Sequence, residues 1–213
     1  SMEDNNDEPF KVKGEIKRFY VNLKVVIESK LSTHLDLDEI QIKQPPVGQG
    51  AFGLVYRGYW RGVEVAVKMI KCDLFDTETL LPEFKAECGL MERIHCPYVL
   101  SFIGSVTTPE QLCLITEFSP LFSLRKYMKT NTLSIQMKIR VCQDIARGMD
   151  YLHQNNIVHR DLKTDNALMF STNPNEAVVV KISDFGTSQM FVESKKAKKI
   201  VDVGTPAYMA PEV

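Results

Sequence analysis

Two aspartates, an asparagine and two lysines stand in an order that suits the chemistry of nucleotide phosphates. The run His159-Arg160-Asp161-Leu162-Lys163-Thr164-Asp165-Asn166 is followed by Asp184-Phe185-Gly186 and preceded, far upstream, by Gly48-Gln49-Gly50-Ala51-Phe52-Gly53 and Lys68. Glycines at 48, 50 and 53 allow tight turns and let backbone N–H groups approach an anion without side chains in the way. Asp161 and Asp184 then divide two tasks: one accepts or orients the proton of an attacking hydroxyl, and the other holds magnesium, a hard cation that takes oxygen ligands. Asn166 offers a neutral oxygen to the same ion. Together the pattern implies phosphoryl transfer from ATP.

The elements that must carry these residues change character along the chain. Apolar positions 12, 16, 19, 20, 23, 26, 27 and 31 form a helical stripe over 10–31, although 21–27 also alternates as a strand does; we read an extension, helical, over 10–38. From residue 39 short strands are expected at 40–43, 54–59, 63–70 and 112–117, with a charged helix at 80–94. Beyond 117 the period becomes helical, short at 121–129 and long at 134–154. Segments 166–170 and 178–183 flank Ser171-Thr172-Asn173-Pro174-Asn175-Glu176, a turn-forming cluster that predicts a hairpin delivering Asp184 to its end.

Strand alternation puts Lys68 and Ala66 on one face, under the glycine run. A lysine there needs a carboxylate to hold it, and Glu83 and Glu87, one turn apart, are the two candidates. A glycine run of this kind also marks dinucleotide-binding enzymes, but there its last glycine opens a helix. Here Leu54-Val55-Tyr56-Arg57-Gly58-Tyr59 follows and reads as a strand.

Composition narrows the setting. With 26 basic against 27 acidic residues, net charge gives no reason to expect a nucleic-acid partner. Five cysteines without a CxxC pair argue against a disulfide framework or a zinc site and suit a reducing, cytoplasmic location. No segment approaches the roughly 18 apolar residues of a membrane span, so no direct membrane insertion is expected, although the chain could be the intracellular part of a larger membrane protein. Ser1-Met2 reads as a cloning remnant and 1–9 as a disordered acidic tail.

The motif set resembles a eukaryotic protein kinase domain over 39–213. That resemblance implies an α+β, bilobal fold: a β-rich N-lobe with one main helix over 39–117, and an incomplete helical C-lobe with catalytic loop and activation segment over 118–213. It implies that Val47, the Gly48-Gln49-Gly50-Ala51-Phe52-Gly53 run and Val55 cover ATP, that Lys68 binds its phosphates, and that Glu87 is the partner of Lys68, since Met91 and Pro97 then fall at the family's spacing. Thr116 would be the gatekeeper, Glu117 the start of the hinge, and Val55, Ala66 and Leu168 the adenine sandwich. Asp161 would orient the substrate hydroxyl, Lys163 steady the γ-phosphate, and Asn166 with Asp184 bind Mg2+. His159 is implied to be structural, in an apolar stack with Met91, Phe102 and Phe185. Arg160 would meet an activation-segment phosphate, for which Ser194 is the candidate, and Thr205 would contact Asp161 and Lys163. Asp161-Leu162-Lys163 and the 204–212 segment resemble serine/threonine kinases, whereas Tyr59-Trp60-Arg61-Gly62 and 144–153 resemble the tyrosine-kinase-like group.

The expected activity is therefore transfer of the γ-phosphoryl of Mg-ATP to protein serine or threonine hydroxyls in signalling, with dual specificity open. The alternative is a nucleotide-binding pseudokinase or scaffold. The chain ends one residue after Ala210-Pro211-Glu212, where the resemblance implies further helices. We read it as a truncated domain, expected to expose apolar faces of 134–154 and so to aggregate or to complete itself by exchange with a second copy.

Overall fold

A computed structural model describes residues 33–50, 53–70, 77–108, 111–184, 189–190 and 205–209. Ala51, Phe52, Phe185 and Ser194 lie outside them, as does the helical stripe expected at 10–31.

Five strands form one antiparallel sheet: β1 (Ile40–Gly50), β2 (Gly53–Trp60), β3 (Val63–Ile70), β4 (Phe102–Thr108) and β5 (Gln111–Glu117), in the order β1-β2-β3-β5-β4. The alternation expected of β3 is present in its burial. Val65 and Val67 are wholly buried on one face, where they meet Tyr56, Val106, Cys113 and Ile115. The other face carries Ala66 and Lys68. Strand β4 was not foreseen, because Gly104-Ser105 and Thr107-Thr108 dilute its apolar signal. At the β4 edge residues 33–35 run extended rather than helical. Ser105 N–H donates to the Thr33 carbonyl at 2.6 Å and Leu35 N–H to the Ser105 carbonyl at 2.8 Å, which closes an otherwise open sheet edge.

Helix α1 (Thr77–Glu92) buries Phe84, Cys88 and Met91, a helical i, i+4, i+7 stripe, in a cluster with Ile70, Leu112 and Leu114 of the sheet. The same cluster takes in Val99, Leu152 and Ile157, so α1 is tied to the helical half through continuous apolar contact. There, α2 (Leu124–Met128) and α3 (Ile135–Gln154) begin at Ser123 and Ser134, whose hydroxyls accept from the N–H groups of Lys126 and Met137. A third cluster joins Leu124, Met137 and Val141 to Ala167, Met169, Val179 and Val180.

Those last residues belong to the hairpin β7 (Ala167–Met169) and β8 (Val180–Ile182), paired Ala167 to Ile182 and Met169 to Val180, where the 171–176 turn cluster predicted it. A two-residue strand, β6 (Ile157–Val158), pairs with β9 (Gln189–Met190). Two features of α3 set the hairpin. Gly148 lets the helix approach so closely that a Cβ there would stand 2.7 Å from Ile182 Cδ1 and 2.9 Å from the Tyr98 carbonyl. Asp144, with 0% exposure, accepts from the N–H groups of Val179 (2.7 Å) and Val180 (3.3 Å) and is flanked by Arg140 and Arg147. A buried carboxylate so paired and bonded holds the start of β8, and removing it would leave two arginines and two backbone donors without it.

Candidate active site

The sheet assembles one wall of the site by register alone. Cross-strand partners share a face, and Gly48 pairs with Val55, Val55 with Lys68, and Ala66 with Thr116. Three strands thus bring Val55, Ala66, Lys68 and Thr116 to the face opposite the Val65–Val67 core, beneath the β1–β2 turn. At the end of that turn Gly53 sits so tightly on β3 that a Cβ would meet the Met69 carbonyl at 1.8 Å, so no larger residue fits the observed backbone. Leu168 comes from the other wall, on β7, half-buried and bridged to Ser123.

Lys68 Nζ reaches Asp184 Oδ1 at 3.3 Å. Glu87 completes this charge cluster from α1. Burial pushes its carboxyl up, the positive charge of Lys68 pulls it back, and the negative charge of Asp184 adds to the rise. The net direction is upward, and Glu87 Oε1 is buried without a hydrogen-bond partner. Of the two acids expected to hold Lys68, Glu87 is coupled to it in charge, and the Glu83 side chain lies outside the described residues.

Below the cluster, Asp161 is gripped from three sides. Thr205 Oγ1 donates to Oδ1 at 2.6 Å, and Lys163 Nζ and Asn166 Nδ2 donate to Oδ2 at 2.6 and 3.2 Å. Lys163 Nζ also donates to Thr205 Oγ1 at 2.8 Å. Burial raises the Asp161 carboxyl, but the hydrogen bonds from Lys163, Thr205 and Asn166 together with the Lys163 charge outweigh it and hold it below the usual aspartate range. It is therefore ionised at neutral pH, the form that accepts a hydrogen bond from a hydroxyl.

Asn166 also donates from Nδ2 to the Asp161 carbonyl at 2.9 Å. Its amide oxygen is thus the atom not committed to Asp161. Its backbone carbonyl accepts from Ser183 N–H at 2.8 Å, which sets Asn166 beside the residue preceding Asp184. His159, 1% exposed, is structural as expected. Its Nδ1 accepts from Asp161 N–H at 3.3 Å, so Nε2 carries the proton and donates to the Ser183 carbonyl at 3.0 Å. Burial keeps this imidazole below its usual range despite that bond and the nearby aspartates. A neutral histidine thus ties the 159–166 run to Ser183, between β8 and Asp184.

The model of the protein tyrosine and serine/threonine kinase family matches residues 41–213. The chain belongs to that family. It is 39% identical, over 89% of its length, to a probable serine/threonine-protein kinase, gdt9, of Dictyostelium discoideum, and 35% identical over 87% to the dual specificity protein kinase shkB of the same organism. It is 38% identical over 77% to the serine/threonine/tyrosine-protein kinase HT1 of Arabidopsis thaliana. It spans 14%, 28% and 42% of those proteins respectively.

Within this kinase domain, several contacts had no signal in the sequence. Glu117 was expected at the hinge as a nucleotide contact, yet its carboxylate takes Lys181 Nζ at 2.7 Å on both oxygens and Ser101 N–H at 2.7 Å on Oε1. Its side chain links β5 to β8 and the start of β4, while its backbone N–H donates to the Ser101 carbonyl at 3.1 Å and its carbonyl accepts from Thr116 Oγ1 at 3.2 Å. Ser119 donates to the Met169 carbonyl at 2.6 Å, a second tie between hinge and hairpin. Arg160 is exposed, with a left-handed backbone at φ 64°, as is Asp184 at φ 67°. Non-glycine residues held in that region concentrate at functional sites. Among the described residues no group of three or more His, Cys, Asp or Glu side chains could hold a metal by itself, and no helix is long and apolar enough to cross a membrane.

Proposed function

We propose that this chain is the catalytic part of a protein kinase that transfers the γ-phosphoryl of ATP to serine or threonine hydroxyls of proteins. One observation carries the reading: Lys68, Asp184 and the pair Asp161 and Asn166, drawn from three segments, are brought together, with an ionised Asp161 held between Lys163, Thr205 and Asn166.

Each residue then has a task of its own. Lys68, held by the Asp184 and Glu87 charges, presents an ammonium to phosphate oxygens beneath the glycine turn. Asp161 accepts the hydrogen bond of the incoming hydroxyl and orients it. Lys163, bonded to Asp161, keeps a positive charge beside the transferring group. Catalysis of this kind is positioning and charge stabilisation. Magnesium fits the donor chemistry, since the Asn166 amide oxygen and the half-exposed Asp184 carboxylate are hard oxygen ligands on segments joined by the Ser183 N–H to Asn166 carbonyl bond, and phosphates and water would complete such a shell. Bound there, the ion would neutralise phosphate charge.

A reducing, cytoplasmic setting belongs to the same proposal, supported by Cys88, Cys96 and Cys142, which are free thiols. So do phosphate control through Arg160 and Ser194 and exchange with a second copy through α3, where Ile135 and Ile139 are exposed. The test is phosphate incorporation into a generic serine/threonine substrate with Mg-ATP, followed by mass spectrometry, against Asp161→Asn. Incorporation lost in the variant supports the enzyme. No incorporation by either, with nucleotide still bound, would favour a nucleotide-binding scaffold.

A further inference from the structure

The mouth of the cleft carries contacts that the phosphoryl-transfer machinery does not use. Phe122, in the segment between β5 and α2, has φ 62°. A bulky aromatic in the left-handed region is strained, and the surroundings must hold it there. Three contacts do. Its carbonyl accepts from Met169 N–H at 2.8 Å. Its ring meets Phe118 edge-on, at 6.2 Å between centroids and an angle of 81°. Lys126 Nζ lies over its face, 3.5 Å from the centroid.

Lys126 does not stop at the ring. Its ammonium donates to the Val47 carbonyl at 3.4 Å, from the exposed surface of α2 to the residue that opens the glycine run. On the far side of the hinge, Arg57 of β2 stands over the Phe118 ring, 5.4 Å from its centroid. A chain of cation–ring contacts therefore runs from β2 through Phe118, Phe122 and Lys126 back to β1. It joins the sheet to α2 across the opening between them, over residues 79 positions apart in sequence.

We propose that Phe122 and Lys126 form a clasp that holds the start of the glycine run over the cleft and slows nucleotide release. The proposal rests on the ATP reading above for its ligand, but the clasp itself is a property of the free protein. Phe122 supplies a rigid platform that fixes the direction of the Lys126 ammonium, and the strained backbone at Phe122 aims the ring at the mouth. Lys126 is then a positioning residue, acting on nucleotide through Val47. Breaking it leaves the Lys68, Asp161 and Asp184 contacts intact, so release changes while the chemistry does not.

The test has two readouts on the same chain. One is the dissociation rate of a fluorescent N-methylanthraniloyl-ADP, and the other is amide hydrogen exchange at Val47, Gly48 and Gln49 without nucleotide. Losing an exposed cation–ring contact and its hydrogen bond should speed dissociation roughly three- to tenfold in Lys126→Ala, with faster exchange at those amides. Lys126→Arg keeps a donor and a cation and should stay near the wild-type rate. Phe122→Gly separates the clasp from folding: glycine suits φ 62°, so thermal stability should hold or rise while dissociation still accelerates. Unchanged dissociation and exchange in both Lys126→Ala and Phe122→Gly, with nucleotide bound normally, would overturn the clasp alone. A wild-type chain that takes no nucleotide would overturn the ATP reading and the release role together, and exchange at Val47 would still show whether the clasp exists.

Discussion

The two halves of the site are built on different principles. Around Asp161, three of four partners lie within six residues of chain, and both carboxylate oxygens receive donors at 2.6 Å. Around Lys68, which stands on β3, the partners come from α1 and from the segment after β8; the ion pair to Asp184 is 3.3 Å long and Glu87 Oε1 is buried without a bond. The first half is organised by local sequence and stays satisfied without ligand. The second depends on how α1 packs against the sheet and how the hairpin meets both, and it holds a carboxylate at a cost that burial alone would make unfavourable. Such an arrangement keeps Asp161 fixed and leaves Lys68 sensitive to the placement of one helix.

The largest effect should come from the fixed half. Asp161→Asn removes the acceptor for the hydroxyl and should lower turnover by roughly 10² to 10⁴-fold, the usual contribution of a positioned general base. Nucleotide affinity should hardly move, since Lys68 and Asp184 are untouched. Single-turnover phosphate transfer measured beside nucleotide binding checks both. A parallel loss of binding would mean that the halves are not separable and would break the comparison.

Glu87→Gln probes the sensitive half, and its two readouts should part. Lys68 loses a charge partner, so turnover should fall on the order of tenfold, equivalent to about 1.4 kcal/mol. Stability should not fall with it. The Glu87 carboxyl is raised in the fold, so the folded state binds a proton more readily than the unfolded one; stability from this group is greatest at low pH and declines as pH rises through its folded value. Glutamine removes that decline, and thermal melts taken upward from the ordinary glutamate range should show a flatter profile than the parent. A variant that melts earlier at neutral pH would show that Glu87 is held by bonding stronger than its orphaned oxygen indicates.

The same contrast explains what could be read before any coordinates. The glycine run, Lys68, the 159–166 run and Asp184 are contiguous signatures, and strand β3 and the span of α3 follow from local periodicity. Local chemistry also indicated the hairpin, because its turn residues sit together at 171–176. What escaped is non-local. Strand β4 gains its identity from pairing with β5 and covering by residues 33–35, not from its own diluted pattern. Glu117 looks like any hinge acid until β8 brings Lys181 to it, and Asp144 reads as a polar helix position until the hairpin supplies two N–H donors. Burial of charge by a partner distant in sequence leaves no mark that a single chain pattern displays.

Thr205 marks the one place where the fixed half is also non-local, and it should give the smallest of these effects. Its hydroxyl supplies one of the bonds that hold the Asp161 carboxyl low, the others coming from Lys163 and Asn166. A depressed carboxyl contributes stability above its unfolded value and loses it as pH falls through the folded one. Thr205→Val keeps the shape and removes the donor, so the Asp161 carboxyl should climb part of the way toward the ordinary aspartate range, with Lys163 still in place. The acid limb of a stability profile should therefore move to slightly higher pH, while Lys163→Met, which removes both a bond and a charge, should move it further. Carbonyl-carbon NMR titration of Asp161 reads the shift directly. If Thr205→Val moves it more than Lys163→Met, the grip on Asp161 comes mainly from the distant segment, and the division into a local and an assembled half would have to be redrawn.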